Sequence, residues 1–169
     1  MFERIMIIGR SGSGKSTFAK TLGEKLEREV THLDKIYHHP DWSFAFPTYK
    51  AWHEEVARLA AGERWILEGN FTKSIPIRLA RADTVVFFNF SPWRCLYSVY
   101  KRKFFPPAHR PDKHEGMQEK VTLELWRMIF RYQIKNILEQ LKSAKDKKIY
   151  IVKNRKEAAK VMQEIAGQK

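Results

Sequence analysis

Nine residues near the N-terminus, GRSGSGKST at 9–17, have the types and spacing needed to bind phosphate groups. The run fits the pattern GxxxxGK[ST], in which Gly9, Gly12 and Gly14 let backbone N–H groups turn inward around an anion. Lys15 supplies a full positive charge to the β- and γ-phosphates, and the Ser16 hydroxyl is placed to ligate Mg²⁺. We therefore predict an ATP and Mg²⁺ site contacted by Gly9, Ser11, Gly12, Ser13, Gly14, Lys15, Ser16 and Thr17.

The residues on either side of this loop favour phosphate binding over the alternative of a Gly- and Ser-rich turn without a ligand. Residues 4–8 form a short apolar run, typical of a strand that is buried on both faces. Phe18, Leu22 and Leu26 recur every four residues, which predicts a helix that begins near Lys15. The positive end of that helix would point at the same phosphates.

Two acidic residues follow short apolar runs and are candidates for chemistry. In the run 64–70, Glu68 directly follows the apolar residues, and a carboxylate there can help to hold Mg²⁺ directly or through water. Asp34 ends the strand-like run 29–34, 19 residues after Lys15, and can accept a proton from a substrate hydroxyl during phosphoryl transfer. The alternatives are a surface acid for Glu68 and a turn or N-cap residue for Asp34.

The rest of the chain alternates apolar strand patterns with helical patterns. This alternation predicts a parallel sheet with helices on both faces, and ligands in such sheets bind beyond the carboxyl ends of the strands. The further predicted elements are helix 49–61, helix 75–81, strand 84–90, helix 93–103, an irregular stretch 104–116, helix 121–141, strand 148–152 and helix 155–166.

Length and composition limit the class of protein. The chain has 169 residues, 43% of them hydrophobic, which is typical of one domain spanning 1–169. Cys95 is the single cysteine, so no internal disulfide can form. No stretch resembles a membrane span or a signal peptide, so we expect a cytoplasmic protein. A net charge of +13 favours anionic partners, which include nucleotides and nucleic acids.

Six sequence blocks form a recognisable combination: GRSGSGKST, HLDKIY with Trp42 following, WILEGNF, ARADTVVFFNF, RPDKHEG and a final lysine-rich strand. Together they resemble the bacterial "DNA topology modulation" proteins, small P-loop proteins that are similar to adenylate kinase and other nucleoside monophosphate kinases. The resemblance implies an α/β, three-layer P-loop NTPase fold with a five-stranded parallel sheet in the order 2-3-1-4-5, helices on both faces and a lid at about 102–119.

The same resemblance assigns roles beyond the phosphate loop. Arg102 matches a lid arginine that contacts the transferring phosphates in the kinases. Ser98 and Thr72 stand where related kinases carry arginine, which argues against an ordinary AMP kinase, although Lys73 or Arg78 could substitute for an arginine at 72. The block 34–37 also resembles uridine-kinase-like enzymes, which implies a hydroxyl acceptor.

Motif and resemblance together predict an ATP-dependent kinase that moves the γ-phosphoryl group to a small acceptor, namely a nucleoside, a nucleotide or a sugar alcohol. Lys15, Asp34 and Arg102 are the candidate catalytic residues, and Ser16 and Glu68 are the candidate Mg²⁺ ligands. Two alternatives stay open: a nucleotide-regulated DNA-binding protein that affects DNA topology, and a P-loop ATPase without an acceptor.

Overall fold

The computed structural model describes residues 2–106, 110–114 and 121–167. Its five strands form one parallel sheet in the order β2-β3-β1-β4-β5, so the predicted order is confirmed. The strands are Arg4–Gly9 (β1), Val30–His32 (β2), Trp65–Glu68 (β3), Thr84–Phe88 (β4) and Lys148–Val152 (β5).

Helices cover both faces of the sheet and give the three layers of the predicted fold. The helices in the described part are Lys15–Leu26 (α1), Leu33–Tyr37 (α2), Tyr49–Ala60 (α3), Ile75–Arg81 (α4), Pro92–Phe104 (α5), Leu123–Phe130 (α6), Ile134–Ser143 (α7) and Arg155–Ala166 (α8), with a 3₁₀ helix at Thr72–Ser74. One face of the sheet packs against α1, α5, α6 and α8, and the other packs against α3, α4 and α7. None of these helices is long and apolar enough to cross a membrane.

The sheet is apolar on both faces because helices cover it on both sides. Ile5 and Ile7 point into one core, and Met6 and Ile8 point into the other, all four fully buried. This alternation explains why residues 5–8 form a continuous apolar run.

Two predicted elements are wrong in detail. The expected helix 121–141 is two helices, α6 and α7, and Tyr132 lies in the connection between them. The Tyr132 hydroxyl donates to Asn70 Oδ1 across 2.7 Å, so a contact with the loop after β3 accompanies the break. Asp34 does not end a strand: β2 stops at His32, and Asp34 is the second residue of α2.

The lid expected at about 102–119 lies partly outside the described residues, which exclude 107–109 and 115–119. Residues 102–104 continue helix α5. Residues 110–114 lie beside α2, where His114 Nε2 is 2.9 Å from the carbonyl oxygens of both Lys35 and His38.

A buried arginine holds the turn that follows β3. Arg78 is fully buried and donates hydrogen bonds to the carbonyl oxygens of Gly69, Asn70 and Phe71 at 2.9, 3.1 and 3.2 Å. Burial lowers the pKa of this guanidinium to about 10. Gly69 has a φ of 155°, and a Cβ there would lie 2.7 Å from Leu33 Cβ, so the turn also packs tightly against α2.

We expect Arg78→Met to destabilise the fold by about 3 kcal/mol or more, because it leaves one buried and two partly buried carbonyl groups without their charged donor. Urea unfolding followed by tryptophan fluorescence measures the change. Arg81→Met is the matched control, since exposed Arg81 lies on the same helix and should change the free energy of unfolding by less than about 0.5 kcal/mol. Equal effects of the two substitutions would contradict the role given to Arg78.

Candidate active site

The glycine-rich loop connects β1 to α1 and is packed against α5. Gly12 has a φ of 83°, and a Cβ at this position would lie 2.3 Å from the carbonyl oxygen of Cys95. Only glycine fits both the backbone angle and the close approach of the helix. The Ser13 hydroxyl donates to the Arg10 carbonyl across 2.7 Å, so the side chain of this buried serine closes the turn.

Arg10, a position that the motif leaves free, anchors the loop to the core. Its side chain is buried and donates from Nε to the Ile129 carbonyl at 2.9 Å and from Nη1 to the Phe90 carbonyl at 2.7 Å. Its guanidinium also lies 5.4 Å from the ring centroid of Tyr132. The loop is therefore held from behind by groups that do not depend on a ligand.

Lys15, Glu68 and His32 form a buried charged cluster beneath the loop. Lys15 Nζ lies 3.3 Å from Glu68 Oε1, and His32 Nδ1 donates to Glu68 Oε2 across 2.7 Å. Burial alone would raise the pKa of Glu68, but Lys15 and the His32 hydrogen bond outweigh it and lower that pKa. Burial likewise opposes the charge on Lys15, but the carboxylates of Glu68 and Asp34 outweigh it and raise the pKa of Lys15. Both groups therefore stay ionised.

Glu68 and Ser16 fit the requirements of a magnesium site. Glu68 is fully buried, and its Oε1 makes no hydrogen bond among the described residues apart from the ion pair with Lys15. A buried carboxylate oxygen of this kind and the Ser16 hydroxyl in the first turn of α1 are donor types that Mg²⁺ accepts when substrate phosphates supply further oxygens.

Asp34 lies in the same electrostatic environment although it comes from a different element. Burial of its carboxyl raises the pKa to about 6, and the positive charge of Lys15 limits the rise. The negative charges of Glu68 and Asp112 add to the increase, and His32 opposes it. A carboxylate with a pKa near 6 is partly protonated near neutral pH and is well matched to accept a proton.

One cavity of about 1160 Å³ is lined both by the predicted phosphate loop and by the candidate residues Asp34 and Arg102. From the loop and the first turn of α1 it is lined by Ser11, Gly12, Gly14, Lys15, Ser16 and Thr17. Asp34 from α2 and Arg102, near the end of α5, line the same cavity. The structure thus places the candidate catalytic residues Lys15, Asp34 and Arg102 around a single space.

Asp112 belongs to this site and was not identified from the sequence. Burial would raise its pKa, but a two-pronged ion pair with Arg110 lowers it, and Lys15 adds to the lowering. Asp112 lines the cavity beside Arg110, so the segment 110–114 brings a third carboxylate close to Lys15.

The roles of His32 and Arg78 in the structure also differ from those that the sequence suggested. His32 was not given a role, yet it lies opposite Glu68 in the β2–β3 register, and its position at the end of the neighbouring strand is the signal that could have identified it. Arg78 was one candidate to hold an acceptor phosphate, but it is fully buried and bonded to the turn after β3.

Comparison with known proteins shows the fold. No protein-family model and no curated protein matches the sequence. The structure is similar to shikimate kinase from Acinetobacter baumannii in complex with shikimate, with a TM-score of 0.60 and 19% identity over 100% of this chain and 96% of that one. Shikimate kinase from Bacteroides thetaiotaomicron gives a TM-score of 0.56 and 16% identity, over 99% of this chain and 98% of that one.

A third similar structure is deoxyadenosine kinase from M. mycoides with bound dATP, with a TM-score of 0.53 and 13% identity over 95% of this chain and 98% of that one. At these identities the likeness shows the fold alone, and the name "DNA topology modulation" is not supported by these findings. What the comparisons do show is that the chain has the fold of small P-loop kinases.

Proposed function

We propose that this protein is a Mg²⁺-dependent kinase that transfers the γ-phosphoryl group of ATP to a hydroxyl of a small molecule. One observation carries the proposal: a single cavity is lined by Lys15 and Ser16 and also by Asp34, which lies close enough to Lys15 to raise the pKa of that ammonium. Groups that hold a triphosphate and a group that takes a proton therefore face the same space.

On the donor side, the backbone of the loop and the Lys15 ammonium would bind the phosphates of ATP. Ser16 and Glu68 would hold Mg²⁺, which supplies neutralisation of the charge on the phosphate oxygens when it is bound. His32 keeps Glu68 oriented by occupying Oε2, so that Oε1 is the oxygen that remains for the cation.

On the acceptor side, Asp34 would take the proton of the attacking hydroxyl. The acceptor oxygen forms a bond to the γ-phosphorus while the bond from that phosphorus to the β–γ bridging oxygen breaks, and ADP leaves with the electron pair. The proton moves from the acceptor to the Asp34 carboxylate and later to solvent. Arg102, a lining residue on α5, would stabilise the charge that develops on the transferring group.

The kinases with similar folds support this class of reaction. One of them contains shikimate and another contains dATP, so folds of this kind accommodate both a small acceptor and an adenine nucleotide. The identity of the acceptor of this chain does not follow from these kinases, because the side chains that line its cavity decide which molecule fits.

The proposal is tested by incubating the protein with γ-labelled ATP, Mg²⁺ and a panel of small alcohols. We expect transfer of label to at least one alcohol, and Lys15→Ala should lower turnover by at least about 100-fold because it removes the charge that holds the β- and γ-phosphates. Calorimetric titration with ATP·Mg²⁺ checks binding separately. Turnover of Lys15→Ala at the wild-type rate would refute the assignment, and Lys15-dependent hydrolysis without any acceptor would favour an ATPase.

The rate should depend on pH through Asp34. Because the carboxylate form takes the proton, kcat should rise with pH up to about 6 and then level off, as expected from the raised pKa of Asp34. In Asp34→Asn, kcat should no longer rise with pH on the acidic side (the acidic limb) and should fall by about 100-fold or more, while calorimetry still detects binding of ATP·Mg²⁺. A variant that keeps the acidic limb would show that Lys15, Glu68, His32 or Asp112, the charged or titratable neighbours, produces it.

A second candidate function is binding of nucleic acid, and the surface of α5 is the observation that favours it. Trp93, Tyr97 and Phe104 are each about two-thirds exposed, with Lys101 and Lys103 beside them and no acidic residue in the helix. Exposed rings among basic side chains can stack bases and contact phosphates.

Two neighbouring substitutions on α5 separate the two candidates. We expect Arg102→Ala to lower kinase turnover by about 1,000-fold, because its charge acts on the transferring group, and exposed Lys101→Ala to leave turnover unchanged. Fluorescence anisotropy with single-stranded and duplex oligonucleotides runs in parallel over a range of salt. Tight binding at physiological salt that both substitutions weaken alike, with turnover the same in both, would instead identify nucleic acid as the ligand.

A further inference from the structure

The part of the cavity that faces the phosphate loop has an unusual lining. Residues 34–72 contribute twelve of the lining residues, and none of these twelve is Lys or Arg. Six of them are aromatic residues that we call the ring wall: Tyr37, Trp42, Phe44, Phe46, Tyr49 and Phe71. The acceptor side is therefore a surface of rings with one carboxylate, Asp34.

The ring wall is built around Tyr37 and supported from behind. The Tyr37 ring centroid lies 5.3 Å from that of Phe44 and 4.9 Å from that of Phe71, and the Phe46 ring is nearly parallel to it at 6.4 Å. Fully buried Trp52 on α3 packs against the Tyr37 ring at 4.9 Å. The wall is thus held in place by the core, and a ligand that binds to it does not have to order it.

Part of the ring wall is more exposed than closure over the core requires. Phe44 is 65% exposed and Tyr49 is 49% exposed, whereas Trp52 behind them is fully covered. Both exposed rings line the cavity, so their apolar surface is available to a flat partner. This distinguishes them from aromatic residues that only fill the core.

The lysine and arginine residues that line the cavity all come from outside residues 34–72. They come from the loop, α1, α5 and the later part of the chain: Lys15, Lys20, Arg102, Arg110, Lys113 and Arg131. Two ammonium groups approach the ring wall itself, and each lies against a ring: Lys113 Nζ is 4.6 Å from the Trp42 centroid and Lys73 Nζ is 4.6 Å from the Tyr49 centroid.

On this side of the cavity an anionic acceptor would meet two ammonium groups, those of Lys73 and Lys113, and each of them already lies against a ring. Its phosphate or carboxylate would face Asp34, which repels it, and no guanidinium of residues 34–72 lines the wall to bind it. A neutral acceptor without a ring would avoid the repulsion but would leave the exposed surfaces of Phe44 and Tyr49 unused.

We propose that the acceptor is an uncharged alcohol that carries a flat ring, of the nucleoside type, with the ring stacked on the ring wall and a hydroxyl beside Asp34. This inference rests on the proposed kinase function and makes it specific. It selects the nucleoside over the nucleotide and the sugar alcohol as the class of acceptor.

The experiment compares matched acceptors with γ-labelled ATP: each common nucleoside, its 5′-monophosphate and the ringless polyol ribitol. We expect kcat/KM for the best nucleoside to exceed that for its monophosphate and for ribitol by about 100-fold, because Asp34 repels the added phosphate of the monophosphate and ribitol has no ring to stack on the wall. Calorimetry measures binding of the same nucleoside to the protein without ATP.

Phe44→Ala should weaken binding of that nucleoside, and raise its KM, by about tenfold, since stacking on one ring is lost. The KM for ATP should stay unchanged. Phe105→Ala is the matched control, because Phe105 is 76% exposed but belongs to the end of α5 and not to the ring wall. We expect this control to change neither KM.

The outcomes distinguish failure of this inference from failure of the proposed function. Preference for a monophosphate or for ribitol, or nucleoside binding that Phe44→Ala leaves unchanged, would overturn the ring wall as the acceptor site while the kinase assignment stands. Absence of nucleoside binding by calorimetry overturns it equally, whatever the turnover. Loss of ATP binding and transfer altogether would refute the kinase itself, and nucleoside binding that depends on Phe44 would then still identify the ring wall as a nucleoside site.

Discussion

The site depends on a carboxylate that is completely buried and still charged. Glu68 has no exposed surface, and an isolated charge there would be costly, so it requires both Lys15 on one oxygen and His32 on the other. These partners come from different elements: His32 lies opposite Glu68 in β2, and Lys15 begins α1, which follows β1, the strand in which Ile7 lies opposite Glu68. A slip of β3 by one residue would turn Glu68 to the other face, so the strand register and the site are fixed together.

Helix α5 links the loop to the residue proposed to act on the transferring phosphate. Gly12 packs directly against the Cys95 carbonyl, and Val99 contacts the same position one turn later. Arg102 follows Cys95 by about two turns of helix, so it lies on the same side and lines the cavity that the loop opens into. The missing side chain at Gly12 therefore determines how closely α5 approaches and, through it, where the arginine lies.

Much of this arrangement could be predicted from the sequence, because short apolar runs and i, i+4 patterns mark a sheet that is covered on both faces. Asp34 was assigned to a strand end because the pattern of Leu33, Ile36 and Tyr37, which is one helical turn, was not recognised. The break near Tyr132 has no glycine or proline to mark it, and it coincides with a contact to Asn70. Asp112 reaches the site because residues 110–114 pack beside α2. This contact joins residues far apart in the chain, so no local sequence pattern predicts it.

The charges of the site also bear on why a divalent cation belongs to the proposed reaction. Asp34, Glu68 and Asp112 are all close enough to raise the pKa of Lys15, so one ammonium is shared among three carboxyl groups. A triphosphate bound by the loop would add several negative charges to the same region and would compete with Glu68 for that ammonium. In the proposed reaction, a cation held near Glu68 would supply positive charge that helps to keep this buried carboxylate ionised once Lys15 turns towards phosphate, and carboxylate and hydroxyl oxygens suit Mg²⁺ for that role. The proposed metal would therefore compensate for the burial of Glu68.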